Sequence, residues 1–181
     1  MIRVRLFERQ EASFRRHMIH LGIYAAIAAL VVLLDQITKA IVVRTMEIGE
    51  SIPWWEGVFH ITRVRPNPGA AFSMFSSPDQ RWIFLTFSTV AIVGICFYLW
   101  ADRTVPVLGG VSLAMILGGG IGNMIDRLSE AKAVVDFFDF CLINFAVFNV
   151  ADVFVCVGAG LMLLTLILTW VEEFKKKGKK E

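Results

Sequence analysis

The chain has 181 residues, 56% of them hydrophobic, with a mean hydropathy of +0.65 and a formal net charge of +2. This is too apolar for an ordinary water-soluble domain and excludes a disordered chain, so the bilayer is the expected solvent and 1–181 is expected to form one membrane domain. Basic residues gather at the two ends, which favours contact with anionic lipid headgroups and argues against nucleic-acid binding.

A helix that crosses a bilayer needs roughly 20 mostly apolar residues, and the stretches 19–43, 82–100, 105–125 and 148–171 qualify. The first follows a tail, 1–18, that carries Arg3, Arg5, Arg9, Arg15 and Arg16. A cleavable leader begins in the same way, but here the apolar run continues through Asp35-Gln36-Ile37-Thr38-Lys39 to Val43 without a small-residue cleavage pattern, so a retained helix is expected. Asp35 and Lys39 stand four residues apart, share one helical face and can pair, an arrangement that suits a role in orienting the helix end.

The loop 44–81 contains alternating stretches at 47–53 and 57–64, which predict two short strands. Trp54 and Trp55 lie between them, where amphipathic rings anchor at a membrane interface. Spans two and three are joined by little more than 101–104, which forces an antiparallel hairpin. Span three carries Ser112 and the run Gly118, Gly119, Gly120 and Gly122; with no strand before it and no Gly-Lys-Ser/Thr after it, this pattern points to close helix contact rather than a phosphate cradle.

The second loop, 126–147, mixes acidic residues with Phe, Val and Leu, and is expected to lie on the membrane surface. Span four opens on Phe148-Asn149-Val150-Ala151-Asp152 and leads to a tail, 172–181, with Lys175, Lys176, Lys177, Lys179 and Lys180. By the positive-inside rule both termini are cytoplasmic, which agrees with an even number of spans. Asp35, Lys39, Asn123, Asp126, Arg127, Asp136, Asn149 and Asp152 then converge at the extracytoplasmic face.

Ionisable groups inside or at the ends of apolar spans are functional candidates, because an uncompensated charge in lipid is unfavourable by several kcal/mol. Asn123 and Asp126 are three apart, as are Asn149 and Asp152, so each Asn can hydrogen-bond near its Asp. Two of the aspartates held together would not both ionise readily: one would activate water while its protonated partner donates to a peptide carbonyl. Asp126 is followed by Arg127, and an adjacent cation favours a charged, structural carboxylate. Asp136 sits in Val134-Val135-Asp136-Phe137-Phe138 with no neighbouring cation, and its apolar setting should raise its pKa; Asp152 has similar surroundings. Asp139 competes more weakly, since nothing local distinguishes it.

Cys96, Cys141 and Cys156 have no disulfide or metal spacing, and His17, His20 and His60 are scattered. Neither an HExxH helix nor a Gly-x-Ser-x-Gly elbow is present.

In combination these segments resemble the lipoprotein signal peptidase (signal peptidase II) family. The similarity rests on Asp35-Gln36-Ile37-Thr38-Lys39, Asn67-Pro68-Gly69-Ala70-Ala71-Phe72, the run from Gly118 to Arg127, Val134-Val135-Asp136-Phe137, and Phe148-Asn149-Val150-Ala151-Asp152, in that order. The resemblance implies an all-α polytopic membrane fold of four transmembrane helices, with a small extracytoplasmic β-sheet and a short surface helix. It implies an aspartic endopeptidase of the bacterial cytoplasmic (inner) membrane, with Asp136 and Asp152 catalytic. Asn67, Gly69, Asn123, Asp126, Arg127 and Asn149 would line or brace the site, supported by Asp35 and Lys39. The implied substrate is a diacylglyceryl-modified prolipoprotein cut just before its lipidated cysteine, without metal or organic cofactor; a monomer is expected. One departure is the link Ser129-Glu130-Ala131-Lys132-Ala133, about one residue longer than the family's and lacking its usual Gly. The alternatives are a small proton-coupled transporter, which would need polar residues through the depth of several helices, and a non-enzymatic scaffold.

Overall fold

The computed structural model describes residues 2–65, 81–129 and 133–178, without the side chains of 2–10 and 81. Four long helices, α1 (Ile2–Thr45), α2 (Arg81–Ala101), α3 (Val107–Leu128) and α4 (Val150–Lys177), are each long and apolar enough to cross a membrane. At 1.5 Å per residue α1 is roughly 66 Å long, about twice the hydrocarbon thickness. Its basic N-terminal part therefore extends beyond the core. Leu30, Leu33, Phe87, Leu163 and Leu166 are exposed along the helices, as lipid-facing positions should be.

Helix α3 is the centre of the bundle, packed most closely on α1 and α4, with α2 against its side. Its small residues explain why. A Cβ at Gly118 would meet the Ala28 carbonyl and Val31 of α1, one at Gly119 would overlap the Ala151 carbonyl of α4, and one at Gly122 would strike Asp35 Oδ2 at 2.6 Å. From α4, Gly158 returns the contact onto Ser112 and Ile116. Ser112 is buried and spends its hydroxyl on the Leu108 and Gly109 carbonyls, a packing role as expected. Of the four clustered glycines only Gly120 has open space above it. Tyr24, Leu99, Leu113 and Ala114 form the core toward the other end. There Arg103 stacks over Phe14 and His17 Nε2 lies 3.2 Å from the Trp100 carbonyl, closing the α2–α3 hairpin onto α1.

At the end of the bundle formed by the C-termini of α1 and α3 sits an antiparallel sheet in the order β1 (Ser51–Trp55), β2 (Phe59–Thr62), β3 (Phe138–Asp139). The strands predicted at 47–53 and 57–64 are shifted and shorter, because Gly49 (φ 93°) turns the chain before β1 and Gly57 (φ 71°) forms the hairpin. Trp54 and Trp55 belong to β1 rather than to the turn, beside a register irregularity after Pro53, and are 81% and 67% exposed, which leaves both rings available to a membrane interface. The third strand was not foreseen from the sequence. The surface helix takes the form of a 3₁₀ turn, Cys141–Ile143, ended by Asn144 in the left-handed region (φ 48°) that Asn tolerates.

Candidate active site

The segment carrying Asp136 is fixed from both sides. The N–H groups of Phe137 and Phe138 donate to the Phe148 carbonyl, Phe148 N–H donates back to Phe138, and Thr62 N–H donates to the Phe137 carbonyl. The Phe137 ring is buried with Val42 and Met46 against Ile61, Phe138 and Val150. Asp136 is thus carried on an apolar strap between the sheet and the head of α4, and only 6% of it is exposed. Asp139, three residues on, accepts a hydrogen bond from Thr62 Oγ1 at 2.9 Å and serves to join β3 to β2.

Asp152 stands in the first turn of α4, where the unpaired N–H groups and the helix dipole favour negative charge. Asn149 is the N-cap, and the two form a reciprocal capping box: Asp152 N–H donates to Asn149 Oδ1 (3.0 Å) and Asn149 N–H donates to Asp152 Oδ2 (3.1 Å). Because its oxygen is taken by the helix, the Asn149 amide must present its nitrogen to the other side. There Nδ2 donates to Asp136 Oδ1 at 2.7 Å and to Asn123 Oδ1 at 3.0 Å. A single, fully buried asparagine therefore bridges the two aspartates.

The pair is not symmetric. Asp152 accepts at both oxygens, from Asn149 N–H and from Asn123 Nδ2 at 2.8 Å, and such donors stabilise a carboxylate. Asp136 accepts one hydrogen bond, leaving Oδ2 without a donor among the described residues. Burial, reinforced by the negative charge of Asp152, pushes the Asp136 carboxyl up to about 6 from an ordinary 3.8, with the Asn149 hydrogen bond and the cations Lys39 and Arg127 opposing the rise.

Below the pair lies a buried polar cluster. Lys39 Nζ is 2.7 Å from Asp35 Oδ2 and 2.7 Å from Asp126 Oδ2, and donates to Asn123 Oδ1 at 3.1 Å. The pairing of Asp35 with Lys39 is as expected. The direct ion pair of Asp126 is with Lys39 from α1, and Arg127, pointing about 100° away on the helix, acts on it through its charge without that contact. For the same reason of helix–helix geometry, Asn123 donates to Asp152 of α4 and not to Asp126 of its own helix. Arg127 donates to the Asn123 carbonyl at 3.2 Å and stacks over Phe84 of α2 at 5.3 Å. The structure thus brings together Asp35, Lys39, Asn123, Asp126, Arg127, Asp136, Asn149 and Asp152; Asn67, Gly69 and the middle of the 129–133 link lie outside the described residues.

Gln36 was missed by sequence reasoning. Its Nε2 lies 2.9 Å from Asp126 Oδ1 and 3.2 Å from both Asp35 Oδ2 and the Gly122 carbonyl, so it ties the two acids together. A polar side chain beside Asp35 in an otherwise apolar span was the available signal. Among the described residues no group of three or more His, Cys, Asp or Glu has metal-holding geometry.

The arrangement can hold one carboxylate ionised and one protonated within a largely buried site, which is the equipment of acid–base hydrolysis without a covalent intermediate. Among the described residues the buried charges concentrate at one end of the bundle and the core at the other end is Tyr24, Leu99, Leu113 and Ala114, which gives no support to a transporter.

Comparison with known proteins gives one consistent result. The sequence profile of the family described as "Signal peptidase (SPase) II" matches residues 27–168. The chain is 43% identical over 145 residues to the lipoprotein signal peptidase of Brevibacillus brevis, covering 80% of this chain and 95% of that one. It is 40% identical over 148 residues to that of Bacillus subtilis, covering 81% and 94%. Among solved structures, a bacterial membrane enzyme determined by the in meso method at 2.3 Å resolution matches with a TM-score of 0.72, 29% identity, and coverage of 81% of this chain and 88% of that one. A second, at 1.9 Å, matches with a TM-score of 0.70, 31% identity, and coverage of 80% and 92%.

Proposed function

Because the chain belongs to the signal peptidase II family, it is a multi-pass membrane protease that removes signal peptides from prolipoproteins, and we propose that Asp136 and Asp152 perform the cleavage as a shared-proton pair. The observation that carries the assignment is Asn149, whose side-chain amide donates to Asp136 while its backbone N–H donates to Asp152.

In this reading Asp152, with both oxygens accepting hydrogen bonds on the positive end of α4, is the ionised base and takes a proton from the attacking water. Asp136, whose carboxyl burial pushes up to about 6, acts in its protonated form and donates through Oδ2 to the carbonyl oxygen of the scissile bond. The carbonyl carbon becomes tetrahedral as the water oxygen adds. Collapse breaks the C–N bond as Asp152, now protonated, delivers its proton to the departing amine, and the diol hydroxyl returns a proton to Asp136. Arg127, Asn123 and Asn149 hold the pair, and Asn67 and Gly69 contribute to the substrate side.

The substrate is a prolipoprotein whose cysteine already carries diacylglyceryl, and the bond cut is the one just before that cysteine. The enzyme acts as a monomer in the bacterial inner membrane, with both basic termini cytoplasmic and the site at the extracytoplasmic face. What supports this placement is that the acids, the amides and the exposed tryptophans of β1 share one end of the bundle, while Phe14, His17 and Arg103 mark the other. In detergent or lipid, the purified enzyme is expected to cut a diacylglyceryl-modified prolipoprotein at least about tenfold faster than the same precursor without lipid, since remote binding energy from the acyl chains supports the chemical step. Gel mobility and mass spectrometry report the product; equal rates on both precursors would refute lipid recognition.

A further inference from the structure

Lys39 touches neither aspartate of the pair, yet every bond it makes leads to one. An ammonium has three N–H donors, and Lys39 has three acceptors: Asn123 Oδ1, Asp126 Oδ2 and Asp35 Oδ2. Each acceptor carries the contact one step further. Asn123 turns its Nδ2 to Asp152 Oδ1 at 2.8 Å. Asp126 Oδ2 accepts Val135 N–H at 3.3 Å, one residue before Asp136. Asp35 Oδ1 accepts Ala151 N–H at 3.0 Å, one residue before Asp152. Gln36 closes the figure by bonding both Asp35 and Asp126.

Two of these links carry consequences beyond stability. With Lys39 on its oxygen, the Asn123 amide has one orientation only, nitrogen toward Asp152, and so donates to the oxygen that must stay ionised. With Lys39 on Asp126, the strap that carries Asp136 is held at a fixed height against α3. Lys39 is 4% exposed and Asp35 fully buried, so this charge acts through protein rather than water.

On the premise that Asp136 and Asp152 are the catalytic pair, we propose that Lys39 is a positioning residue that fixes the separation of the two carboxyls, acting through Asn123, Asp126 and Asp35. Among the described residues, the charged groups facing the pair are Lys39 and Asp35 from α1 and Asp126 and Arg127 from α3, while from the sheet Asp139 turns to Thr62. Among the described residues, loss of Lys39 leaves Arg127 as the one cation beside four carboxyls, so each proton of the pair becomes harder to lose.

The test is the pH dependence of kcat for full-length Lys39→Met against wild type, with a lipidated prolipoprotein as substrate. A misplaced pair predicts a kcat lower by about 100-fold with KM changed less than about threefold, and the lost cation moves both limbs of the profile to higher pH. A variant with both limbs unmoved, or with its whole loss in KM, overturns the proposal. If Lys39→Met does not fold, the double variant Lys39→Met/Asp126→Asn removes one cation with one anion and relieves the buried imbalance. Its kcat is expected to remain at least about tenfold low in a protein that unfolds at the wild-type temperature, and wild-type kcat overturns the proposal equally. Asp136→Asn in the same assay separates the two levels: full activity there sinks the catalytic pair itself, whereas an inactive Asp136→Asn beside unmoved Lys39→Met limbs sinks only the role of Lys39.

Discussion

Asp136→Asn is expected to make the protein more stable at pH 7.5 while removing its activity. The carboxyl of Asp136 is pushed up to about 6 in the folded chain, against 3.8 ordinarily, chiefly by burial. A shift of roughly two units corresponds to about 3 kcal/mol at 1.36 kcal/mol per unit, taken as an upper bound. The sign follows from proton binding. Between pH 3.8 and about 6 the folded state holds a proton that the unfolded state has released, so stability falls as pH rises through this window and stays reduced above it. Asparagine accepts the Asn149 hydrogen bond through its own oxygen without carrying a charge, and relieves the deficit. Its gain in unfolding free energy should be fully present above pH 6 and vanish below pH 3.8. Thermal unfolding in detergent at pH 7.5 and pH 4 measures it. A variant less stable than wild type at pH 7.5, or equally shifted at both values, would contradict this origin of the shift.

Gly119→Val is expected to destroy the bundle, and Gly120→Ala to leave it intact or slightly strengthen it. Any Cβ at 119 overlaps the carbonyl of Ala151 and approaches Val155 to 2.7 Å, so α3 and α4 must separate along their closest contact. Overpacking of this kind destabilises by about 3 kcal/mol or more when the obstacle is backbone and cannot rotate away. Ala151 is also the residue whose N–H binds Asp35, so the displacement carries directly into the site. One position on, a Cβ at Gly120 meets nothing within 4 Å, and alanine there gains about 0.4–1 kcal/mol by restricting the unfolded chain. The comparison is made on yield and thermal midpoint of the purified proteins. Comparable stability of Gly119→Val and Gly120→Ala would show that close α3–α4 approach is not what the glycine run provides.

The helices and the acids were legible in the sequence for the same reason. Apolar runs of bilayer length announce spans, and a carboxylate or amide at the end of such a run stands out because lipid does not solvate it. Asp35, Lys39, Asn123, Asp126, Asn149 and Asp152 were found in this way before any of their contacts was known. What the sequence concealed was partnership across helices. Asn123 and Asp152 are 29 residues apart, Asp35 and the Ala151 N–H 116, and no local periodicity relates them. The charge of Arg127 does act on Asp126 as the local sequence suggested, but the direct ion pair comes from Lys39 on another helix. The strand β3 was hidden because two residues are too few for an alternating pattern. Gln36 was overlooked because an uncharged side chain draws less notice than its neighbour Asp35, although it bonds both buried acids.

The central claim is that Asp136 and Asp152, and not the other nearby aspartates, carry the chemistry. The direct measurement is initial-rate cleavage of a diacylglyceryl-modified prolipoprotein by wild type, Asp136→Asn, Asp152→Asn and Asp139→Asn, each shown to be folded by thermal unfolding. Loss of general acid or base assistance predicts a fall of about 10²–10⁴-fold or more for each of the first two variants, with Asp139→Asn within about tenfold of wild type because Thr62 can still hydrogen-bond the amide oxygen. Folded Asp136→Asn or Asp152→Asn protein that cleaves at the wild-type rate would contradict the account.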